Sequence, residues 1–135
     1  MNNTRKPLPR TLALAMAIAV ALTLSVSAFA FDSQTWNAGS TNVTGYISES
    51  TQKYSGTVAG PTGTTKAELD MTLYEKGLLG YKEVDSASAS ANGMRCSKNV
   101  SYAIKSGKSY KLTVTGKAYV NGKWDTVTKD FTASF

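Results

Sequence analysis

The feature that most constrains this chain is the Asn121-Gly122 pair, which has alternating sequence on both sides of it. Asn-Gly is the preferred pair for a two-residue type I′ turn, whose twist matches that of the strands it joins. Such a turn sets the register of a hairpin, and here it places Tyr119 opposite Trp124. The sequence therefore predicts a long antiparallel hairpin over residues 110–135.

The two faces of this predicted hairpin differ in polarity. Cross-strand partners share a face, so the register can be tested against the sequence. One face is mostly apolar and collects Tyr110, Leu112, Val114, Gly116, Ala118, Val120, Val127, Phe131, Ala133 and Phe135. The other face is polar and collects Lys111, Thr113, Thr115, Lys117, Thr126, Thr128, Asp130 and Thr132. The apolar face must be buried, which requires a second layer of structure.

The first 30 residues have the pattern of a secretory signal peptide. A basic segment precedes an apolar run over 12–26, and Ala28-Phe29-Ala30 fits the small-x-small rule for cleavage. An uncleaved membrane anchor is the alternative, because the apolar run approaches the length that spans a bilayer. Cleavage leaves one predicted domain, residues 31–135, that is secreted or associated with the cell surface. The short Ala/Leu-rich signal peptide is typical of bacteria.

Charge and residue types exclude several classes of function. Signal cleavage removes three of the fifteen basic residues and none of the nine acidic ones, which leaves twelve against nine, a net charge of +3. This weak, dispersed charge favours solubility and predicts no nucleic-acid partner. The chain has no histidine, so Ser-His and Cys-His nucleophile activation is excluded. We expect no cofactor, no metal site and no stable membrane insertion after signal removal.

Cys96 is the single cysteine, so no intramolecular disulfide can form. It shares its strand parity with Val100, Tyr102 and Ile104, which predicts a small buried residue. An intermolecular disulfide or a reactive thiol is the alternative, and either would require exposure. The oligomeric state does not follow from the sequence.

A second hairpin is predicted from residues 42–48 and 53–58, with a four-residue loop between them. Its register places Gly45 opposite Gly56 on the inner face, where two missing side chains leave a shallow spot. We expect an aromatic ring to fill that spot, with Tyr102 or Trp36 as the candidates.

From Thr64 the chain alternates again, with Ala67, Leu69, Met71 and Leu73 on one face and Lys66, Glu68, Asp70, Thr72 and Tyr74 on the other. This predicts a half-buried strand. Leu78 and Leu79 follow in a glycine-flanked turn, and we expect them to plug the open end of the fold. A membrane or partner contact at this tip is the alternative.

Residues 81–91 allow two interpretations. Val84 is expected to face inward opposite Leu73, but serines then occupy the inward positions. Either a β-bulge turns Ala87, Ala89 and Ala91 inward, or the segment is a short edge strand. A second Asn-Gly turn at 92–93 then leads into a predicted strand over 94–105, with Met94, Cys96, Val100, Tyr102 and Ile104 facing inward.

Together these segments predict an all-β fold. About seven strands joined mostly by short turns favour an antiparallel two-sheet sandwich of immunoglobulin-like architecture, without its cysteine pair. A closed or partly closed barrel is the alternative.

Tyr119 and Trp124 are the candidate binding residues, because the register places both on the polar face, where apolar side chains are not required. As a cross-strand pair they would stabilise the hairpin end. As an exposed platform they would stack against a sugar ring or a partner surface, with Lys117 supplying hydrogen bonds. Glu68 and Asp70 share a face and could form an acid/base pair or bind calcium, but we interpret them as part of a solvated sheet face.

The functional hypothesis is a small secreted, non-catalytic binding or interaction module that acts at the cell surface or on an extracellular polymer. Its partner would be that polymer or a protein surface. The alternative is a secreted effector, toxin-like protein or inhibitor, and a carboxylate-dependent hydrolase is a third hypothesis. No catalytic residue is assigned.

Overall fold

The computed structural model describes residues 41–135, in which seven β-strands are joined by turns and short loops. The strands are β1 (Asn42–Ser48), β2 (Lys53–Ala59), β3 (Lys66–Gly77), β4 (Gly80–Asn92), β5 (Arg95–Ser101), β6 (Ser109–Val120) and β7 (Lys123–Ser134). The predicted signal peptide and Trp36 lie outside the described residues. No helix in the described part of the chain is long and apolar enough to cross a bilayer.

Two antiparallel sheets form, one of three strands in the order β1-β2-β5 and one of four in the order β4-β3-β6-β7. The prediction of an all-β, two-sheet fold with about seven strands is confirmed. In the constant-type immunoglobulin order the fourth strand joins the sheet of the first, second and fifth. Here β4 pairs with β3 instead, so this order is not the one the chain adopts.

The register predicted from Asn121-Gly122 is confirmed along the whole β6–β7 hairpin. Asn121 has φ 52° and Gly122 has φ 74°, the two positive values that a type I′ turn requires. The β1–β2 register is also confirmed, because Gly45 lies opposite Gly56. Turn chemistry and strand parity therefore agree in both hairpins.

The core lies between the inner faces of the two sheets. The fully buried side chains alternate along β3 and β6 and meet those of β1 and β2; the largest are Tyr54, Tyr110, Leu69, Met71, Leu73, Leu112, Val43, Val58 and Val114. Burying each large apolar side chain is worth about 1.5–3 kcal/mol relative to leaving it exposed. The four-stranded sheet therefore packs one face against the three-stranded sheet and leaves its other face exposed to solvent.

The shallow spot at Gly45 and Gly56 is filled by Phe131 over Gly45 and by Met71 over Gly56, not by the predicted residues. A Cβ on Gly45 would lie 2.7 Å from Cδ2 of Phe131, so the ring of Phe131 occupies the space that the glycine leaves. An aromatic ring was expected, but the choice of Tyr102 was wrong and Trp36 is outside the described residues. Phe131 reaches the spot because β7 packs against β1 from the opposite sheet.

The ambiguity over residues 81–91 is settled by a bulge. Leu73 pairs with Asp85 whereas Tyr74 pairs with Glu83, so Val84 is the extra residue. The predicted pairing of Val84 with Leu73 is therefore wrong by one position. Beyond the bulge Ala87, Ala89 and Ala91 are half-buried and pack against the core, as the bulge interpretation requires. The strand is also a sheet edge, but a long one.

Leu78 and Leu79 do not plug the sandwich, and that prediction was wrong. Both side chains are fully exposed. They form the two-residue turn between the paired Gly77 and Gly80, so their side chains extend beyond the last cross-strand pair of the hairpin.

Two further predictions concern the strand that begins after Asn92. Met94 was expected to face inward, but it precedes β5 and is exposed. Cys96 is buried with a free thiol, which confirms the prediction of a small buried residue. Burial raises the pKa of the Cys96 thiol, and the nearby Lys98 lowers it by less. This combination disfavours the reactive thiolate.

Candidate functional site

The predicted pair Tyr119 and Trp124 lies on the outer face of the four-stranded sheet, beside the Asn121-Gly122 turn. The ring centroids are 5.1 Å apart and the ring planes are inclined by 56°. Tilted aromatic pairs at this distance attract each other because the positive edge of one ring meets the negative face of the other. Each ring therefore holds the other in a defined orientation on a rigid hairpin.

Lys66 connects this pair to the neighbouring strand β3. Its Nζ lies 5.7 Å from the centroid of the Trp124 ring and 2.8 Å from Oε1 of Glu68. A cation over an aromatic face contributes about 0.5–1 kcal/mol at exposed sites. Trp124 nevertheless remains 36% exposed. Part of the indole surface is thus open to a ligand while its orientation is restrained.

Lys117 lies on the same face, opposite Glu68 on β3 and Thr126 on β7. It is two residues from Tyr119, a separation of roughly 7 Å along a strand. Its ammonium forms none of the salt bridges found among residues 41–135. We define the aromatic patch as Lys66, Lys117, Tyr119 and Trp124. The structure therefore brings all three predicted binding residues together.

A second cluster, which the sequence interpretation missed, lies at the far end of the same face. Nζ of Lys111 is 4.7 Å from the ring centroid of Tyr74 and 5.2 Å from that of Tyr81. Tyr81 is 43% exposed. We call these three residues the Lys111 patch. Tyr74 and Lys111 were recognisable as outward residues, and the register of the Gly77–Gly80 turn places Tyr81 outward as well. The pairing of β3 with β6, which brings Lys111 beside Tyr74, does not follow from the sequence.

Hydroxyl groups and small side chains cover the face between the two patches. Oγ1 of Thr113 donates a hydrogen bond to Oδ1 of Asp130 at 2.6 Å, and the hydroxyls of Thr115 and Thr128 are 2.9 Å apart. Between β3 and β4 lies a shallow depression of about 320 Å³, lined by residues that include Asp70, Thr72, Ser86 and Ser88. This central region offers hydrogen-bonding groups and no large side chain.

Glu68 and Asp70 are the carboxylates whose spacing allowed an acid/base pair. The structure places them on this open face, where Glu68 forms the ion pair with Lys66 and Asp70 lies opposite Ser88 and Thr115. Their position agrees with the interpretation as a solvated sheet face. Within residues 41–135 no three cysteine or carboxylate side chains are grouped so that they could hold a metal ion.

Two carboxylates with protein partners, Asp85 and Glu75, lie at the opposite end of the sandwich from the aromatic patch. Here the hydroxyl of Tyr54 donates to Oδ2 of Asp85 at 3.0 Å, which links the two sheets. Burial, and next the hydrogen bond to Asp85, raises the pKa of Tyr54 well above its usual value. The hydroxyl therefore stays protonated as a donor.

Glu75 occupies the same end of the sandwich. We call this end, defined by Glu75 and Asp85, the carboxylate end. Oε2 of Glu75 accepts a hydrogen bond from the Tyr110 hydroxyl at 3.4 Å. The ammonium groups of Lys105 and Lys108 lie 3.6 and 3.7 Å from its carboxylate oxygens. These partners hold Glu75 in place as a structural anchor.

A cleft of about 460 Å³ opens beside Glu75 and is lined by residues that include Lys82, Glu83, Tyr102 and Lys105. Glu75 pairs with Lys82 across the strands, and the adjacent pair is Tyr74 with Glu83. Adjacent residues on a strand point to opposite faces of the sheet, so Glu75 and Glu83 are directed apart. The two carboxylates of this cleft do not form a pair of the kind that a hydrolase uses.

Asp125 is a buried carboxylate that the sequence interpretation overlooked. The side chain has no exposed surface, and neither carboxylate oxygen has a hydrogen-bond partner among the described residues. The sequence already indicated its inward position, because the predicted register places Asp125 opposite Ala118, on the apolar face. Thr41 has a buried, unpartnered hydroxyl as well.

No protein-family model matches the sequence, and no curated protein matches it. One solved structure with a similar arrangement is the β-glucuronidase of Parabacteroides merdae with glycerol in its active site, at a TM-score of 0.34 and 13% sequence identity. The similarity covers 68% of this chain, which spans 13% of the glucuronidase chain. A likeness at this level carries no argument about activity.

Proposed function

We propose that the protein is a small secreted, non-catalytic binding module whose ligand is an extracellular polysaccharide contacted through the aromatic patch. The observation that carries the proposal is the partly exposed indole of Trp124, held by Tyr119 at 5.1 Å on a rigid hairpin. A sugar ring presents C–H groups on its faces and hydroxyls at its rim. An open aromatic surface with lysine donors beside it complements both.

The non-catalytic part of the proposal is supported by the placement of the acidic residues. Asp85 and Glu75 are occupied by tyrosine hydroxyls and lysines, and Glu68 is paired with Lys66. A general acid or base must reach the reacting atoms of a substrate in the correct protonation state. These three carboxylates instead have protein partners, and the aromatic patch lies on an open face.

The experiment is a titration of the purified protein with a panel of cell-wall and plant polysaccharides, followed by tryptophan fluorescence. We expect a saturable change with at least one polymer, because a sugar that stacks on Trp124 alters the solvent exposure of the indole. Co-sedimentation with the insoluble form of that polymer then compares variants. Trp124→Ala should weaken binding by about tenfold or more, the usual range for a buried aromatic anchor.

Tyr46→Ala is the matched control, because Tyr46 is an exposed aromatic residue (52%) on the three-stranded sheet. It should leave binding unchanged. The proposal is wrong if both variants lose binding equally, or if no polymer binds. Tyr119 and Trp124 would then serve only to stabilise the hairpin end.

A second candidate function is that of a secreted effector, toxin-like protein or inhibitor that contacts a target surface with its β3–β4 tip. The observation that favours it is the full exposure of Leu78 and Leu79, with Lys76 and Lys82 close by in the hairpin. Exposed apolar side chains flanked by lysines suit an anionic lipid surface. Co-sedimentation with anionic vesicles tests it, and the double variant Leu78→Ser/Leu79→Ser should abolish any binding seen.

A further inference from the structure

We propose that the Lys111 patch is a second subsite, so that the outer face of the four-stranded sheet binds one extended, neutral polysaccharide chain between its two ends. This inference rests on the function proposed for the aromatic patch and extends it. It assigns a role to Tyr74, Tyr81 and Lys111, which the first patch does not use.

The two patches are built alike and lie on one line. Lys66 pairs with Tyr119 at one end of the β3–β6 ladder, and Tyr74 pairs with Lys111 near the other. Each patch places a lysine ammonium over an aromatic ring, at 5.7 Å from Trp124 in the first and 4.7 Å from Tyr74 in the second. Eight positions along β3 separate them, roughly 26 Å at the rise of an extended strand. A disaccharide cannot reach both patches, whereas a chain of about six hexoses can.

The surface between the patches suits a hydroxyl-rich chain. Its side chains are mainly threonine and serine, and the depression of about 320 Å³ at Ser86 and Ser88 falls within the span. Ligand sites of this size usually combine a shaped surface with a few polar groups. A partner with apolar side chains would find no apolar contact in this central region, so a protein ligand fits the span less well.

The charge on this face selects for a neutral ligand. The outward positions of the sheet carry lysines and carboxylates in equal number: Lys66, Lys76, Lys111 and Lys117 against Glu68, Asp70, Glu83 and Asp130. A polyanion would meet as many carboxylates as ammonium groups. Neutral β-linked glycans gain from the same groups as hydrogen-bond donors and acceptors without a charge penalty.

The test is isothermal titration calorimetry with cello-oligosaccharides and chito-oligosaccharides of two lengths, a dimer and a hexamer. For the wild-type protein we expect the hexamer to bind about tenfold or more tightly than the dimer, because it reaches the second subsite. The variant Tyr74→Ala/Tyr81→Ala should lose that gain and keep its affinity for the dimer. Tyr46→Ala serves as the aromatic control, and circular dichroism confirms that each variant is folded.

The outcomes separate this inference from the function on which it rests. In one outcome the hexamer binds only a few-fold more tightly than the dimer, with the same ratio in the double variant. That small gain in affinity reflects the several positions in which a long ligand can occupy a single site. That result overturns the second subsite. The proposed function is still supported if the disaccharide binds the wild-type protein and does not bind Trp124→Ala. No binding of either series at either length overturns this inference, and the proposed function is overturned only if the polymer panel also shows no binding. A dimer of the protein that dissociates in the Tyr74→Ala/Tyr81→Ala variant would assign the face to a second copy and also overturn the inference.

Discussion

At one end of the sandwich Asp85 accepts a hydrogen bond from the Tyr54 hydroxyl at 3.0 Å, whereas near the other end both oxygens of Asp125 are buried without a partner among the described residues. Both carboxylates lie on the inner face of the same four-stranded sheet. An unpaired buried polar group costs free energy, and a paired one costs little or stabilises. The carboxylate end therefore contributes to stability, while Asp125 opposes it.

The comparison teaches that burial alone does not define the role of an acidic residue. Asp85 links β4 to β2 of the opposite sheet through Tyr54, so it helps to set how the sheets pack. Asp125 makes no such link among residues 41–135. Three predictions test this difference and a fourth tests the exposed turn at the carboxylate end, from the largest expected effect to the smallest.

Alkaline pH should destabilise the protein strongly through the carboxylate end. Because the pKa of Tyr54 is raised in the folded state, the unfolded state releases the proton first, near the usual value of 10.0. The contribution of Tyr54 to the free energy of unfolding is fully present below that pH. Above it the free energy of unfolding falls by up to about 1.4 kcal/mol for each pH unit from this one group. Burial raises the pKa of Tyr102 too, which acts in the same direction.

Urea denaturation from about pH 8 to about pH 12 measures the fall. A free energy of unfolding that stays constant across this range would contradict the assignment of Tyr54 as a buried donor.

Tyr54→Phe should lower the free energy of unfolding at neutral pH by about 1.5–3 kcal/mol, the usual value of a hydrogen bond to a charged group. The ring is retained, so packing is preserved and the loss reports the bond to Asp85. The variant should also show a shallower alkaline fall. Tyr46→Phe, at an exposed tyrosine, is the matched control and should change nothing measurable.

Asp125→Asn should raise the free energy of unfolding by about 1 kcal/mol, because it replaces an unpartnered carboxyl that loses its hydration on burial with a neutral amide of the same shape. Chemical denaturation at pH 7 measures the change. A loss of similar size would contradict the conclusion that Asp125 lowers the stability of the fold.

Leu78→Ser/Leu79→Ser should alter the free energy of unfolding by no more than about 0.5 kcal/mol, because both side chains are fully exposed at the carboxylate end. Leu73→Ala, in the same strand pair but buried, should cost about 2–5 kcal/mol. A large loss in the serine variant would restore the interpretation of these leucines as a plug.

Much of the fold could be predicted because two local rules agree. Asn121-Gly122 determines the turn, the turn determines the register, and strand parity then separates Leu112 and Val114 from the threonines between them. The same reasoning placed Tyr119 opposite Trp124 with Lys117 on the same face, and so found the aromatic patch except for Lys66. It could not find the Lys111 patch, because that patch depends on the pairing of β3 with β6, two strands that belong to different hairpins.

The sequence by itself determined the registers of the β1–β2 and β6–β7 hairpins and which residues of β3 and β6 share the apolar face, since these depend on neighbours in the chain and a period of two. Only the tertiary structure decided that Phe131 covers Gly45, that Leu78 and Leu79 remain in solvent, and that Asp125 is buried without a partner among the described residues. Each of these depends on how one sheet is placed over the other. That placement is set by many weak contacts between distant residues, which no local pattern records.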